Sequence, residues 1–386
     1  NSLFSKLKYS EMKEKARKVL EEELKVQMDL DIPLKYVPLA QKQMVEIART
    51  VYANGQIVIM DEPTAALQAE ERDKLFSVIR GLKERGHSII FISHHLDELM
   101  EICDFLTVLR DGHKVDEGPV GEFSVDRIIS DMVGKELKNK YPKKDVPIGD
   151  VIMKVEGLSD GKAFSDVSFE LHRGEILGIA GLEGCGKNEV IRAIFGKNQY
   201  SRGTIEINHE TYPNRIHSAM EKGIAFVPAE RKVEGLFLKQ DIAWNTTIAS
   251  LKWICKMNTL SRKEEIKRTE SYIQQLHTKA NGPNQSVSAL SGGNQQKVML
   301  SRWIMTEADV FLLEEPTRGI DVGAKTEVYE AIGDCVKNQK GVVVVSSEEE
   351  EELGICDRVI VMKNGCIAAI LNAKTATTEE IKHYAV

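Results

Sequence analysis

The feature that most constrains this chain is an internal repeat with a constant offset of 253 residues. The stretch "VIMDEPTAAL", which contains Pro63, resembles "FLLEEPTRGI", which contains Pro316. "CDFLTVLRDG" from Cys103 resembles "CDRVIVMKNG" from Cys356 at the same offset, and "QKQMVEIAR" likewise resembles "NQQKVMLSR". Because the offset holds without a gap over about 75 residues, we predict two copies of one domain.

The repeat divides the chain into a first domain at residues 1–140 and a second at 141–386 that starts with a linker. The stretch "KELKNKYPKKDVP" between the copies is polar and contains proline, as linkers do. The offset would place the first counterpart of Lys187 ahead of Asn1. We therefore expect the chain to begin inside its first domain, so that the first copy is incomplete.

Composition excludes some classes of function. The net charge is -7 and no dense block of Lys and Arg occurs, which disfavours a nucleic-acid partner. The six cysteines form no C-x-x-C pair, so neither a zinc site nor a disulfide framework is indicated. No apolar stretch reaches the roughly 20 residues that a membrane span needs. The acidic run "EEEEEL" from Glu348 is expected to be a solvated helix start.

Hydrophobic patterning predicts an α/β protein. "EILGIAG" reads as a strand that enters a glycine-rich turn, and "KNEVIRAIFG" as the helix that follows. "IVIMDE", "SIIFISH", "VFLLEE" and "VVVVSS" are continuous apolar runs, which favour strands buried on both faces of a parallel sheet. "SEMKEKARKVLEEELKV" is typical of an amphipathic helix.

A glycine-rich loop lies between that strand and that helix. Gly181, Gly186 and Lys187 fit the phosphate-loop pattern G-x-x-x-x-G-K-[ST], in which backbone amides and the lysine cradle phosphates. Asn188 stands where the pattern has a hydroxyl that binds the Mg²⁺ of the nucleotide. The loop therefore predicts nucleotide binding with an altered metal site.

Acidic residues end the apolar strand of each copy. Asp61 is placed to hold Mg²⁺, and Glu62 to polarise an attacking water. His94 ends the next strand, where its side chain could reach a γ-phosphate. In the second copy Ser291 and the amides of Gly292 and Gly293 precede a helix, an arrangement that suits anion binding.

These residues resemble the ATP-binding cassette (ABC) family. "LSGGNQQKVMLSRWI" is similar to the ABC signature, and "LLEEPTRGIDVGAK" resembles the Walker B and D-loop of the double-cassette ATPases of monosaccharide importers. "VPAERKVEGLF" is similar to the Q-loop stretch of that subgroup, and "SSE" from Ser346 stands where a switch histidine would be. The resemblance implies two tandem P-loop NTPase domains, each with a RecA-like parallel core and a helical subdomain.

The resemblance also implies an ATPase that energises sugar import, with ATP and Mg²⁺ as cofactors. Its partners would be integral-membrane permease subunits, fed by a periplasmic or lipoprotein sugar-binding protein. Its place would be peripheral, on the cytoplasmic side of the bacterial plasma membrane, with the two cassettes of the chain forming a pseudo-dimer. The sugar itself is determined by other chains.

The resemblance assigns roles to individual residues of this sequence. The catalytic residues would be Glu62, His94 and Glu315, and the metal ligands Asp61, Glu314 and Asn188. The residues that contact nucleotide would be Gly181, Gly184, Cys185, Gly186, Lys187, Asn188, Glu189, Ser291, Gly292, Gly293 and Gln295.

In ABC proteins each ATP lies between the Walker A loop of one cassette and the signature of the other. One site here would join Asp61, Glu62 and His94 to the second signature, all of standard type. The other would join the Lys187 loop to the first signature, "VPLAQ". This second site collects every departure from the family pattern: Pro38, Ala40, Asn188, Glu314 and Ser347. We therefore expect one hydrolytic site and one degenerate site that holds nucleotide.

Three alternatives stay open at this point. A soluble twin-cassette translation factor would share the motifs, although its linker is usually longer and basic. A cassette protein that binds nucleotide without hydrolysis is a second alternative. The five substitutions are also compatible with decay to an inactive paralogue or pseudogene product.

Overall fold

The computed structural model describes residues 8–24, 26–37, 39–53, 55–64, 67, 69–93, 95–110, 112–133, 141–256 and 259–386. The chain divides into two compact units, Asn1–Leu137 and Lys138–Val386. Pro38 and His94, which carry two of the sequence predictions, lie outside the described residues. Within the described part of the chain, no helix combines the length and apolar character needed to cross a bilayer.

The first unit contains two small sheets and the helices around them. Its helices are α1 (Tyr9–Lys18), α2 (Leu39–Tyr52), α3 (Ala69–Glu84), α4 (Leu96–Ile102) and α5 (Val125–Val133). Its strands are β1 (Ile57–Asp61), β2 (Ser88–Ile92), β3 (Phe105–Arg110) and β4 (His113–Pro119). β1 and β2 pair in parallel, and β3 and β4 pair antiparallel.

The expectation that β1 and β2 are buried on both faces is wrong. Val58 and Met60 face the core, whereas Ile57 and Ile59 on the opposite face are each 65% exposed. β2 repeats the pattern, with Ile90 50% exposed. The core of this unit covers one face of the strand pair, and no second layer covers the other face within the described residues.

The predicted amphipathic helix forms but ends early. α1 ends at Lys18, and the backbone continues in a wider π-helical turn, Val19–Glu23. That turn contributes Val19 and Leu20 to the core.

The second unit has a central sheet and a smaller one. Its helices are α6 (Lys187–Ile194), α7 (Ile216–Glu221), α8 (Ile242–Thr247), α9 (Leu251–Ile254), α10 (Arg262–Gln275), α11 (Gly292–Ile304), α12 (Val322–Lys337), α13 (Glu349–Ile355) and α14 (Thr378–Ala385). Its strands are β5 (Val151–Ser159), β6 (Val167–His172), β7 (Ile176–Ala180), β8 (Arg202–Ile207), β9 (Glu210–Thr211), β10 (Ile224–Val227), β11 (Cys255–Lys256), β12 (Thr259–Leu260), β13 (Val310–Glu314), β14 (Gly341–Val345), β15 (Arg358–Lys363) and β16 (Cys366–Asn372).

The central sheet has the order β10-β13-β14-β7-β15-β16 and is parallel except for β16. Alternate residues of its strands enter two different cores: Val342 and Val344 belong to the core under α11 and α12, and Val343 to the core under α6 and the β6-β5-β8-β9 sheet. Both faces of β13 and β14 are therefore buried, as the sequence predicted. Because β7, β13 and β14 are parallel, their carboxyl ends share one edge of the sheet.

The expectation of a solvated acidic helix start is wrong for two of its residues. Glu348 precedes α13, but Glu351 and Glu352 are each only 1% exposed. Glu351 accepts a hydrogen bond from Thr317 at 2.7 Å and another from Ser346. These carboxyl groups therefore lie in a hydrogen-bonding network beside the sheet and not in solvent.

Candidate functional site

The glycine-rich loop joins β7 to α6 at the carboxyl edge of the sheet. Gly181, Gly184 and Gly186 all have positive φ, at 141°, 80° and 97°. An added Cβ at Gly181 would lie 2.5 Å from the carbonyl oxygen of Met362, so close packing also requires glycine there. A Cβ at Gly184 would meet nothing within 4 Å, which leaves open space over the loop where a phosphate could bind.

Lys187 starts α6 and lies almost buried, with 6% exposure. Its Nζ donates to the carbonyl oxygens of Gly181, at 2.9 Å, and Ser346, at 2.7 Å. The lysine therefore links the ends of β7 and β14. Cys185 is buried beneath the loop, and burial raises the pKa of its thiol. Glu189, on the first turn of α6, is half-buried.

Glu315 follows β13 directly and has a left-handed backbone, with φ of 47°. Its amide donates to Val345 at 2.8 Å, and its Oε2 accepts from the Ser347 hydroxyl at 3.0 Å. Burial raises the pKa of this carboxyl group, although the Lys187 charge and the Ser347 bond oppose the shift. The structure therefore brings together the predicted catalytic Glu315 and the serine that replaces the switch histidine.

The neighbouring carboxylate, Glu314, lies in an ion pair that the sequence analysis missed. Arg192 Nε donates to its two oxygens at 3.0 and 3.1 Å, and Nη2 donates to Oε1 at 2.7 Å. Asn188, one helical turn before Arg192, has a buried Oδ1 that accepts no hydrogen bond within the described structure. The signal available in the sequence was the spacing of Arg192, which puts it on the same face of α6 as Asn188.

The first unit repeats this geometry at the offset of 253. Glu62 has the same φ of 47° as Glu315, and its amide donates to Ile92 at 2.9 Å. Thr64 donates to Glu98 at 2.7 Å, as Thr317 does to Glu351. Asp61 ends β1 with an exposed side chain. The two units therefore place their acidic strand ends in the same local structure.

The signature residues lie at the start of α11, and the residues that they contact differ from those that Lys187 contacts. Ser291 is the residue before the helix, and its hydroxyl accepts from Asn294 Nδ2 at 2.8 Å. A Cβ at Gly292 would lie 2.7 Å from Arg231, and one at Gly293 would lie 2.3 Å from the Cβ of Ala324. Packing against Ala324 thus requires glycine at 293, in addition to any role toward phosphate, whereas the atom nearest to a Cβ at 292 is the end of the flexible Arg231 side chain, which can move.

Gln295 is buried and its amide donates to the carbonyls of Val287 and Leu290, at 3.2 and 3.3 Å. It supports the loop before α11, and the structure gives it no place beside Lys187. The first signature begins at the buried Val37 and continues into α2.

The class of the second unit follows from four features: the strand β7, the glycine-rich loop after it, the buried lysine, and the acidic residues at the end of β13 in the same sheet. The unit is a P-loop nucleotide-binding domain. A model of the ABC transporter family matches residues 164–318. The galactose/methyl galactoside import ATP-binding protein MglA of Shigella boydii is 40% identical over 94% of this chain and 73% of its own length. The chain therefore belongs to the ATP-binding proteins of ABC transporters, which are ATPases.

Solved structures support the same fold. One is a cbiO1 protein from Clostridium perfringens, which is part of an ABC transporter complex and is 21% identical to this chain. The match covers 61% of this chain and 92% of the cbiO1 chain, with a TM-score of 0.51. Another is a dimeric ATP-binding cassette in a post-hydrolysis state with ADP and Pi, which is 19% identical to this chain. The match covers 58% of this chain and 100% of the cassette chain, with a TM-score of 0.51.

Proposed function

We propose that this protein is the ATP-binding subunit of an importer for a monosaccharide, with galactose and methyl galactoside as the first candidates. The observation that carries the proposal is the 40% identity, over nearly the whole chain, to a sugar-import ATP-binding protein. The nucleotide would bind over the loop at Gly184, with Lys187 and the amides of α6 facing its phosphates. The protein would act at the cytoplasmic face of the membrane, against integral permease subunits that receive sugar from a binding protein.

The two nucleotide sites are proposed to be unequal. The site with Asp61, Glu62 and His94 would hydrolyse ATP. There the carboxylate of Asp61 would hold Mg²⁺ and Glu62 would polarise the attacking water. The site of Lys187 would retain nucleotide with little or no turnover, since Ser347 cannot replace a histidine as a proton carrier.

Two matched substitutions test this assignment. Glu62→Gln removes the carboxylate at the proposed hydrolytic site, and Glu315→Gln makes the same change at the other. With the permease subunits in proteoliposomes, we expect Glu62→Gln to lower sugar-dependent ATP turnover and uptake by about 100-fold or more, the scale of a lost general base. Glu315→Gln should lower them by less than about fivefold. Equal losses would contradict the asymmetry, and absence of sugar uptake by the unmodified protein would contradict the function.

A further inference from the structure

The carboxylate that would hold the nucleotide's metal ion in the second unit is already paired. Glu314 ends β13 with only 1% of its side chain exposed. Arg192 binds both carboxylate oxygens through Nε and Nη2, at 2.7 to 3.1 Å. This two-point contact is the strong form of a carboxylate–guanidinium pair.

A metal ion could use Glu314 only by displacing Arg192. The Arg192 side chain is 26% exposed and reaches inward from α6, so displacement would leave a guanidinium beside a divalent cation. The Glu314 carboxylate is buried, and removing its counter-charge is strongly unfavourable for a buried carboxylate. The Arg192–Glu314 pair therefore disfavours the binding of a metal ion at this position.

Two other described residues near this position, Asn188 and Glu315, do not replace that carboxylate. Asn188 has one buried oxygen that accepts no hydrogen bond from a described residue, but that oxygen is neutral. The carboxylate of Glu315 accepts a hydrogen bond from the Ser347 hydroxyl at 3.0 Å. Within the described residues, His, Cys, Asp and Glu form no group of three or more able to hold a metal ion. Mg²⁺ is normally bound through one or two carboxylates besides phosphate oxygens, so these residues do not fit it.

We propose that Arg192 takes the place of the metal ion in the Lys187 site, so that this site binds a nucleoside di- or triphosphate without requiring Mg²⁺. The inference rests on the proposed nucleotide binding at the same loop. Lys187 and the loop amides supply the contacts to phosphate, and Arg192 supplies the positive charge that holds Glu314 in the folded unit. Without a metal ligand on β13, the site retains nucleotide but lacks the metal positioning that hydrolysis needs.

Calorimetric titration of ADP into the 386-residue chain tests this, once with EDTA and once with Mg²⁺. Lys187→Ala identifies the heat that belongs to this loop. We expect Mg²⁺ not to tighten the Lys187-dependent binding: the dissociation constant should be larger with Mg²⁺ than with EDTA, because a site that does not hold the metal competes with it for ADP. A second readout uses Mn²⁺ with ADP, where electron paramagnetic resonance should show no Mn²⁺ held by the protein.

A single substitution of Arg192 would leave Glu314 without its partner and could unfold the unit. Two double variants therefore test the inference. Arg192→Gln with Glu314→Asp frees a carboxylate, and Mg²⁺ should then tighten ADP binding by about tenfold or more, with protein-held Mn²⁺. Arg192→Gln with Glu314→Gln removes both charges and should show no tightening of ADP binding by Mg²⁺, as in the unmodified chain. Arg202→Gln, at an exposed arginine 3.8 Å from Asp166, is the matched control and should change nothing.

A requirement for Mg²⁺ in the unmodified chain, or Mn²⁺ held beside its nucleotide, would overturn the inference and leave the proposed function intact. The same metal dependence in both double variants would also overturn it. If ADP binds in neither condition, the proposed nucleotide site fails, and the inference fails with it.

Discussion

Glu352 is a carboxyl group enclosed by the folded second unit. Its Oε1 accepts from the Ser346 amide at 3.2 Å, and Oε2 is buried without a hydrogen bond to any described residue. Burial raises its pKa well above the ordinary value, while the Lys187 charge and the Ser346 bond oppose the shift and Glu351 and Glu315 add to it. The folded state therefore keeps a proton that the unfolded state releases above pH about 4.3.

The sign of the effect on stability follows from this proton. Because the unfolded state binds fewer protons, the free energy of unfolding falls as pH rises from the unfolded pKa toward the raised folded pKa. We expect Glu352→Gln to reduce this loss, so that the variant gains stability relative to the unmodified protein at pH about 8 and little at pH about 4. Urea unfolding across this range measures it, with the exposed Glu350→Gln as control. An unchanged pH slope in Glu352→Gln would contradict the prediction.

Single residues were predictable where a motif specifies the backbone. The glycine-rich pattern located Lys187, and the acidic pair after an apolar strand located Glu315, because both depend on local sequence. The ion pair of Arg192 and Glu314 joins residues 122 positions apart, and no local pattern specifies it. The burial of Glu351 and Glu352 likewise depends on what α13 packs against, which a run of acids does not reveal.

At the scale of elements, α11 and α12 approach each other closely through Gly293. A Cβ there would lie 2.3 Å from the Cβ of Ala324, closer than packed atoms allow. We expect Gly293→Ala to force these helices apart and to lower the free energy of unfolding by about 1–3 kcal/mol. Thermal or urea unfolding measures the change.

Gly81, in the last turn of α3, is the matched control for this substitution. A Cβ there meets nothing within 4 Å. Gly81→Ala should stabilise by about 0.5–1 kcal/mol, because alanine loses less backbone entropy in a helix. If Gly293→Ala proved as stable as Gly81→Ala, packing would not be the reason for glycine at position 293.

Periodicity predicted the presence and type of the elements well. It predicted less well the features that depend on burial, which are where a helix ends and which faces of a strand are covered. The strand and helix around the loop formed as expected, since an apolar run, glycines and a helical spacing all specify the same local structure. α1 ended before its predicted end, because the backbone changes to a π-helical turn at Val19, and that turn brings Val19 and Leu20 into the core. β1 and β2 were predicted as strands, but a continuous apolar run does not tell whether both faces are covered.

The two units of the whole molecule differ most in what covers their parallel strands. Ile59 and Leu312 occupy equivalent positions of β1 and β13 at the offset of 253. Ile59 is 65% exposed, whereas Leu312 is fully buried between α6 and the sheet below it. Within the described residues, the same apolar sequence pattern therefore contributes differently to the free energy of unfolding in the two units.

Replacement of these two residues by threonine measures that difference in the 386-residue chain. Threonine keeps the β-branched shape at Ile59 and introduces one at Leu312, and strands favour such side chains, so both changes report burial more than strand preference. We expect Leu312→Thr to lower the free energy of unfolding by about 3 kcal/mol, since it leaves a cavity and buries a hydroxyl. Ile59→Thr should change it by about 0.5 kcal/mol or less. A large loss from Ile59→Thr would mean that another layer covers β1 in solution.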